Sequence, residues 1–598
     1  MEIRVADYIT DMLYKAGGEH VFLVTGGMIM HLTDALQQHE SQKYTCCHHE
    51  QAASMAAEAY GRFTSKLGVA YVTAGPGALN AITGIAGAYV DSSPCILIAG
   101  QSKAALAKVQ GVRQFPLQGF NSLPMFDNIT KYAVMIDNIS KVKYEIEKCI
   151  YLAKLDRVGP VYIEIPVDIQ GAFFNPDNFE GFKPEDINSN SEIDEKVSLK
   201  EQVKKVKKEI LRSKRPCILV GAGVRLANGI ESFHKLIDNV GIPVLTSRLG
   251  MDLIDYDHSL FIGRPGTYGD RPANFTIQNS DLLITIGCRL GIGLVGYDFE
   301  DFAKNAKKVY VDIDKDEISK PSVVNDISIQ ADADLFIKML IEELEDYRFD
   351  NVDWLTRTQT WKKKYPVVLP SYAEEKEGVN SYYFVDKLSK HMSNESVFVV
   401  DTGSCFHVHA QAFKVKFGQR HIITGGLSTM GYSPASIGVA VANKGKEVYC
   451  LTGDGSIQMN LQEFQTIVHN KLPVKFIILN NNGYLLIRHT QNNFMDGRFI
   501  GESQDSGISF PEIKKIADTY GIKYMRIESI AEIDSEISKL KEYQGPIICE
   551  VITPSNQLLI PRVSSKKLSD GTMMSMPYDD MYPFLPRDEY LSNCIIKN

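Results

Sequence analysis

Nowhere does this 598-residue sequence carry a run of about 18 uncharged apolar residues, the least that a bilayer-spanning helix needs, so no membrane span is expected. Its ten cysteines include no CxxC pair, and neither a disulfide framework nor a zinc site is implied. Reduced thiols in packed positions are expected, Cys46 and Cys47 included. Basic charge is concentrated nowhere: 64 Lys and Arg stand against 73 Asp and Glu (64 − 73 = −9), which argues against a nucleic-acid partner. The amino-terminal stretch has Glu2, Asp7 and Asp11 inside what would be its apolar part, which does not suit a secretory leader, and a cytoplasmic protein is expected.

Composition is otherwise that of an ordinary folded protein, 44% hydrophobic and 23% charged. The length suggests roughly three to five domains, the size of a multidomain enzyme. Residues 1–175 alternate short apolar runs, such as Val69 to Val72 and Cys95 to Ala99, with helix-like stretches, the pattern of βαβ units and a parallel sheet. From Phe173 to Glu201 the chain turns polar and reads as a surface linker. A second block over 196–345 holds PCILVGAGV, DLLITIG and KVYVDID. A charged, aromatic-dotted stretch, Asp346 to Glu377, leads to a third block over 376–555. The predicted architecture is α/β, three doubly wound parallel-sheet domains, with the first and third as candidates for a distant duplication. Residues 556–598 show neither periodicity and are expected to form an extended tail packed on a surface.

Two turns carry the strongest chemistry. Leu451-Thr452-Gly453-Asp454-Gly455-Ser456 and Asn480-Asn481-Asn482-Gly483 each follow a β-type apolar run, which puts both at carboxyl ends of parallel strands, where α/β sheets bind ligands. Gly453 and Gly455 let the backbone approach a diphosphate, and Ser456 opens a helix whose amides add positive field. Asp454 and Asn481, 481 − 454 = 27 residues apart, offer the hard oxygens that Mg²⁺ prefers. Either turn alone is simply a good turn sequence.

Together with four further segments they resemble the thiamine diphosphate enzyme family of acetolactate synthase and pyruvate oxidase. The segments are His48 to Ala53 (HHEQAA), Thr73 to Gln101, Gly425 to Tyr432 and Gly263 to Leu290, so the resemblance covers nearly the whole chain. It implies a pyrimidine-binding first domain, a central domain and a diphosphate-binding third domain. It also implies thiamine diphosphate- and Mg²⁺-dependent decarboxylation of a 2-oxo acid, pyruvate, with transfer of the two-carbon unit to an acceptor carbonyl. A homodimer or homotetramer is implied, with each site between the first domain of one subunit and the third domain of another. The resemblance carries over Gly26, Gly75, Gly77, Asn80, Gly426, Gly453, Gly455 and Ser456 as coenzyme contacts, and Asp454, Asn481 and Gly483 as metal ligands.

Chemistry singles out Glu50. A carboxyl group hydrogen-bonded to the coenzyme's aminopyrimidine promotes the imino tautomer that removes the reactive carbon's proton. A desolvated carboxyl among Ala52, Ala53, Ala56 and Ala57 has the raised pKa to share it. Without the other motifs Glu50 reads as a first-turn glutamate favoured by the helix dipole. Met430 takes the place of the bulky apolar side chain that props the coenzyme in a bent form, although by sequence alone it is a core methionine. Its loop, MGYSPASIG, is one residue shorter than in acetolactate synthases.

Gln118, in RQFPLQGFN, resembles a substrate-side glutamine, with Leu117 where the family has phenylalanine; by itself it is a loop amide. Thr490 stands where acetolactate synthases have a tryptophan, which implies a different or roomier acceptor pocket lined by Arg488, His489 and the tail. The tail resembles that of acetolactate synthase-like proteins of surface-polysaccharide sugar pathways, some of which transfer acetyl from pyruvate to a nucleotide-linked keto sugar. That activity and a pyruvate oxidase-like flavoenzyme are the alternatives, while intact Glu50, Asp454 and Asn481 argue against a binding protein without turnover. The central domain resembles an FAD-binding domain with Gly221, Gly223, Arg289 and Asp312 as contacts, although GxG alone is a turn and Leu-Gly-Ile-Gly follows Arg289 where the synthases have Asp-Asp-Arg. FAD would be structural, because carboligation moves no net electrons.

Overall fold

Short runs rich in Val, Ile and Leu become the centre strands of three six-stranded parallel sheets, each buried on both faces. The computed structural model describes residues 1–109, 111–187, 192–567 and 573–596. The expected linker crosses 188–191 and the expected tail crosses 568–572 and 597–598, all outside the described residues. The first sheet consists of β1 (His20–Leu23), β2 (Lys43–Cys46), β3 (Gly68–Val72), β4 (Cys95–Gln101), β5 (Tyr132–Met135) and β6 (Pro160–Pro166), in the order β2-β1-β3-β4-β6-β5. The central sheet consists of β7 (Pro216–Val220), β8 (Val244–Thr246), β9 (Phe261–Gly263), β10 (Leu282–Ile286), β11 (Lys307–Asp312) and β12 (Ile327–Gln330), in the order β9-β8-β7-β10-β11-β12. The third consists of β13 (Val397–Val400), β14 (Arg420–Ile423), β15 (Val448–Gly453), β16 (Val474–Asn480), β17 (Lys523–Ile527) and β18 (Ile547–Ile552), in the order β14-β13-β15-β16-β18-β17.

The α/β expectation therefore holds, and the outer sheets share one strand order. The central sheet has the order of dinucleotide-binding folds. In each sheet the order reverses beside its first strand, which opens a crevice at the carboxyl ends of β1/β3, β7/β10 and β13/β15.

Two helices join the outer domains. Helix α1 (Glu50–Thr64) is a run of small residues, Ala52, Ala53, Ala56, Ala57 and Ala59, all fully buried, and it packs on α2 (Ala435–Ala442). A Cβ at Gly438 of α2 would overlap the carbonyl oxygen of Ala56, so the two backbones touch directly. One apolar cluster consequently runs through the first and third domains.

Four features depart from the reading above. The linker ends in a helix, Glu192–Arg212, whose Leu199, Val203, Val206 and Ile210 are buried at helical spacing in the central core. The stretch after Asp346 contains helix Val352–Lys364, whose Trp354 and Trp361 fill the same core edge to face, 5.9 Å apart. The tail is not merely extended: Ser565–Lys567 pairs antiparallel with Met573–Ser575, and Arg587–Asn593 is a helix. It straps the central domain, where Arg271 donates to the carbonyls of Met581 (3.1 Å) and Pro583 (2.6 Å). Of the adjacent cysteines only Cys47 is packed; Cys46 is exposed.

His409 Nε2 lies 2.9 Å from Nδ1 of His421, a buried residue of β14 whose ring stacks on Phe398 of β13. Burial, with the Arg264 guanidinium nearby, holds both imidazoles well below the usual histidine pKa. The unfolded chain therefore takes up protons below pH ~6.5 that the folded chain refuses, and each histidine removes stability as pH falls, about 1.4 kcal/mol per unit. Asp270 and Asp401, raised to about 6 by burial, act in the opposite direction. Comparison with the double variant His409→Leu, His421→Leu cancels that contribution: wild type should lose more denaturant resistance than the variant between pH 7 and 5. Parallel losses would refute neutral burial.

Candidate active site

At the β1/β3 crevice the backbone narrows around a carboxyl group. Glu50 is the first residue of α1, whose N-cap His49 accepts the Gln51 N–H through Nδ1 at 3.0 Å. Glu50 Oε2 accepts from Asn80 Nδ2 at 2.9 Å, and Oε1 faces Gly77, where a Cβ would stand 3.4 Å away. Gly26, after β1, lies against Thr73, after β3, and the Thr73 hydroxyl is buried without a hydrogen-bond partner. Gly26 and Gly77 thus both pack on Thr73, with Glu50 against Gly77 and Asn80 against Glu50. Gly75, at φ +61, takes a backbone form that other residues resist, and a Cβ there would overlap the carbonyl of Gln118. Gln118 itself is exposed, in the left-handed region at φ 58, with Leu117 84% exposed beside it.

The third domain grips the same helix. Both Glu463 carboxylate oxygens accept from His48 N–H, at 3.0 and 3.3 Å, and one accepts from His49 N–H at 3.0 Å. Asn460 Nδ2 donates to Gln51 Oε1 at 3.0 Å and to the Gly431 carbonyl at 2.7 Å.

After β15 and β16 come the two turns. Asp454 is 3% exposed, its carboxyl pushed up to about 7 by burial, and its Oδ2 accepts the Gly483 N–H at 2.9 Å. Asn481 is buried too, and its Oδ1 has no hydrogen-bond partner. A donor-less amide oxygen beside a buried carboxylate fits a divalent cation that both would ligate. In front of Gly453 the space is open, since a Cβ there would meet only the Leu479 carbonyl at 3.9 Å. Gly455 instead packs under the Tyr484 ring. Among the described residues no three His, Cys, Asp or Glu converge, so a cation here needs oxygens brought by a ligand.

Ser456 departs from expectation. It opens a five-residue 3-10 helix, Ser456–Asn460, rather than an α-helix, and its Oγ accepts the Gly431 N–H at 2.9 Å. Met430, half-buried, precedes that pinned glycine. The loop's other end is held by Asp91, whose carboxylate accepts the N–H groups of Gly425 (2.9 Å) and Gly426 (2.8 Å). Asp91 is a residue that motif reading passed over; an acid before Ser-Ser-Pro carries no distinctive pattern. Arg62, 3.6 Å away, balances it, with side chains 10% and 5% exposed. Asp91→Ala takes the acceptor from the Gly425 and Gly426 N–H groups and leaves buried Arg62 with Glu58 as its one carboxylate partner, at a cost of about 1–3 kcal/mol. Urea unfolding of the variant should begin correspondingly earlier, and an unchanged onset would refute this.

A cavity of about 860 Å³ opens at the β7/β10 crevice and is walled by all three domains, among them Asp91, Arg157, Gly223, Arg248, Arg289, Asp312, Gly425 and Gly426. Asp312 is raised to about 6 by burial. Gly221 is not on the wall: it packs behind it on Gly287. Arg488 and His489, expected near an acceptor, also differ. Arg488 is 8% exposed and turned inward. Both His489 ring nitrogens are buried without a partner.

Three family models match: the thiamine pyrophosphate enzyme N-terminal TPP binding domain over residues 3–125, the central domain over 203–340 and the C-terminal TPP binding domain over 401–551. The acetolactate synthase large subunit of Cyanidium caldarium is 30% identical across 95% of this chain and 96% of its own. The chain belongs to the thiamine pyrophosphate enzyme family. Also similar are the probable acetolactate synthase large subunit of Methanococcus aeolicus, 32% identical over 90% of both chains, and that of Lactococcus lactis subsp. lactis, 28% identical over 96% of both. As a thiamine pyrophosphate enzyme it depends on thiamine diphosphate, and each matched domain falls on a different one of the three sheets. No helix among the described residues is long and apolar enough to cross a membrane.

Proposed function

We propose that the protein decarboxylates pyruvate and joins the two-carbon unit to an acceptor carbonyl, as an acetolactate synthase-like carboligase. The observation that carries this reading is the unpartnered Asn481 Oδ1 beside buried Asp454, in a chain that also sets the Glu50 carboxyl between Gly77 and Asn80. When bound, thiamine diphosphate supplies the electron sink that loss of CO₂ from a 2-oxo acid requires. Asp454 and Asn481 would hold Mg²⁺ together with the diphosphate, and open Gly453 leaves room for it. Glu50 turns one oxygen toward Gly77, where it would relay a proton, and Asn80 orients the carboxyl from the other side. Met430 supplies an apolar prop whose loop Asp91 and Ser456 fix at its two ends.

The central cavity takes FAD: its volume, the dinucleotide-type strand order, Gly223 against Gly287 and the cationic Arg289 suit a dinucleotide. Domain limits of 1–175, 196–345 and 376–555, a cytoplasmic location and a homodimer or homotetramer that shares sites between subunits complete the reading. Half-exposed Glu50 and exposed Asn80 fit a site closed by a second copy. The deciding experiment incubates purified protein with pyruvate, thiamine diphosphate and Mg²⁺. Acetolactate supports the proposal; peroxide, or CO₂ release only on addition of a keto sugar nucleotide, overturns the acceptor assignment.

A further inference from the structure

Helix α3 (Leu485–Phe494) begins directly after the second turn, and its Arg488 reaches back under that turn. Nε donates to Glu502 Oε2 at 2.6 Å, Nη2 to the Asn482 carbonyl at 3.2 Å, and Nη1 to the carbonyls of Asn481, at 3.4 Å, and of Ser555. One planar fork therefore ties together the turn, the 500-region loop and the start of the carboxyl-terminal segment. Glu502 is itself buried, 4% exposed, and its backbone carbonyl accepts the Tyr484 N–H at 2.8 Å. Gly483, at φ +150, shows what this geometry demands: a Cβ would stand 2.5 Å from Arg488 Nη2 and overlap the Glu502 carbonyl. The glycine thus makes room for the arginine, and its N–H meets Asp454.

We propose that Arg488 is a positioning residue for the cation: it fixes the backbone of Asn481 and Asn482 so that Asn481 Oδ1 and the Asp454 carboxylate face one divalent ion. This rests on the cation reading of the turns given above. Lysine cannot replace the fork, because a single ammonium on a flexible stem does not reach three carbonyls and a carboxylate in one plane. Loss of such an outer partner typically weakens metal affinity 10- to 100-fold.

The test titrates Mg²⁺ by calorimetry into metal-free protein with saturating thiamine diphosphate. Arg488→Lys should raise the Mg²⁺ Kd about 10- to 100-fold, while kcat recovers at high Mg²⁺. Glu502→Gln, which keeps an acceptor for Nε, should raise it less, and it carries the test if the lysine variant does not fold. A folded Arg488→Lys with the wild-type Kd overturns the proposal, as does a Glu502→Gln indistinguishable from wild type when the lysine variant is lost. If Asp454→Ala also binds Mg²⁺ like wild type, the cation reading itself has failed; if only Asp454→Ala loses the ion, the positioning role alone falls.

Discussion

Glu50→Gln should bind thiamine diphosphate and Mg²⁺ about as tightly as wild type yet turn over 10²- to 10⁴-fold more slowly, the range a positioned acid or base contributes. The substitution is nearly isosteric, and the glutamine oxygen still accepts the Asn80 amide, so the start of α1 keeps its local bonds. What disappears is the ability of the side chain to take up and release a proton beside Gly77. Calorimetry for the coenzyme, set beside CO₂ release from pyruvate, separates binding from chemistry. Wild-type turnover in this variant would remove Glu50 from the mechanism.

Asp454→Ala should fail earlier, at assembly, with Mg²⁺ affinity in the presence of the coenzyme reduced at least about 100-fold, beyond what an outer-sphere partner costs. The carboxylate is the turn's only charged ligand candidate, and the neutral Asn481 oxygen cannot hold the ion and diphosphate alone. The alanine also strands the buried Gly483 N–H, at a cost of about 1–3 kcal/mol. Asp454→Asn separates the two effects, because its side-chain oxygen still accepts that N–H while the charge is gone. Equal Mg²⁺ affinity in wild type and Asp454→Asn would contradict a ligand role.

Much of this protein was legible in its amino-acid order. The apolar runs named the strands, because a strand buried on both faces must be continuously apolar, and the Gly, Asp and Asn turns sat where those runs ended. Glu50 was legible as the head of an alanine-rich helix, whereas only the fold shows that Gly75 and Gly483 sit where a Cβ would overlap a neighbouring carbonyl. Less visible were short or tail elements: Arg587–Asn593 is a seven-residue helix with Tyr590 and Asn593 buried against another domain, too short for periodicity to register.

Sequence alone determined the strands, the turns and the residue types they carry, because those depend on neighbours a few positions away. Tertiary structure alone decided that Glu463 caps His48 and His49 across 415 and 414 positions, that Arg488 points inward, and that three domains wall one cavity. Such contacts join groups whose separation along the chain leaves no periodic trace; they exist because burying a charge requires a partner, wherever the fold brings one.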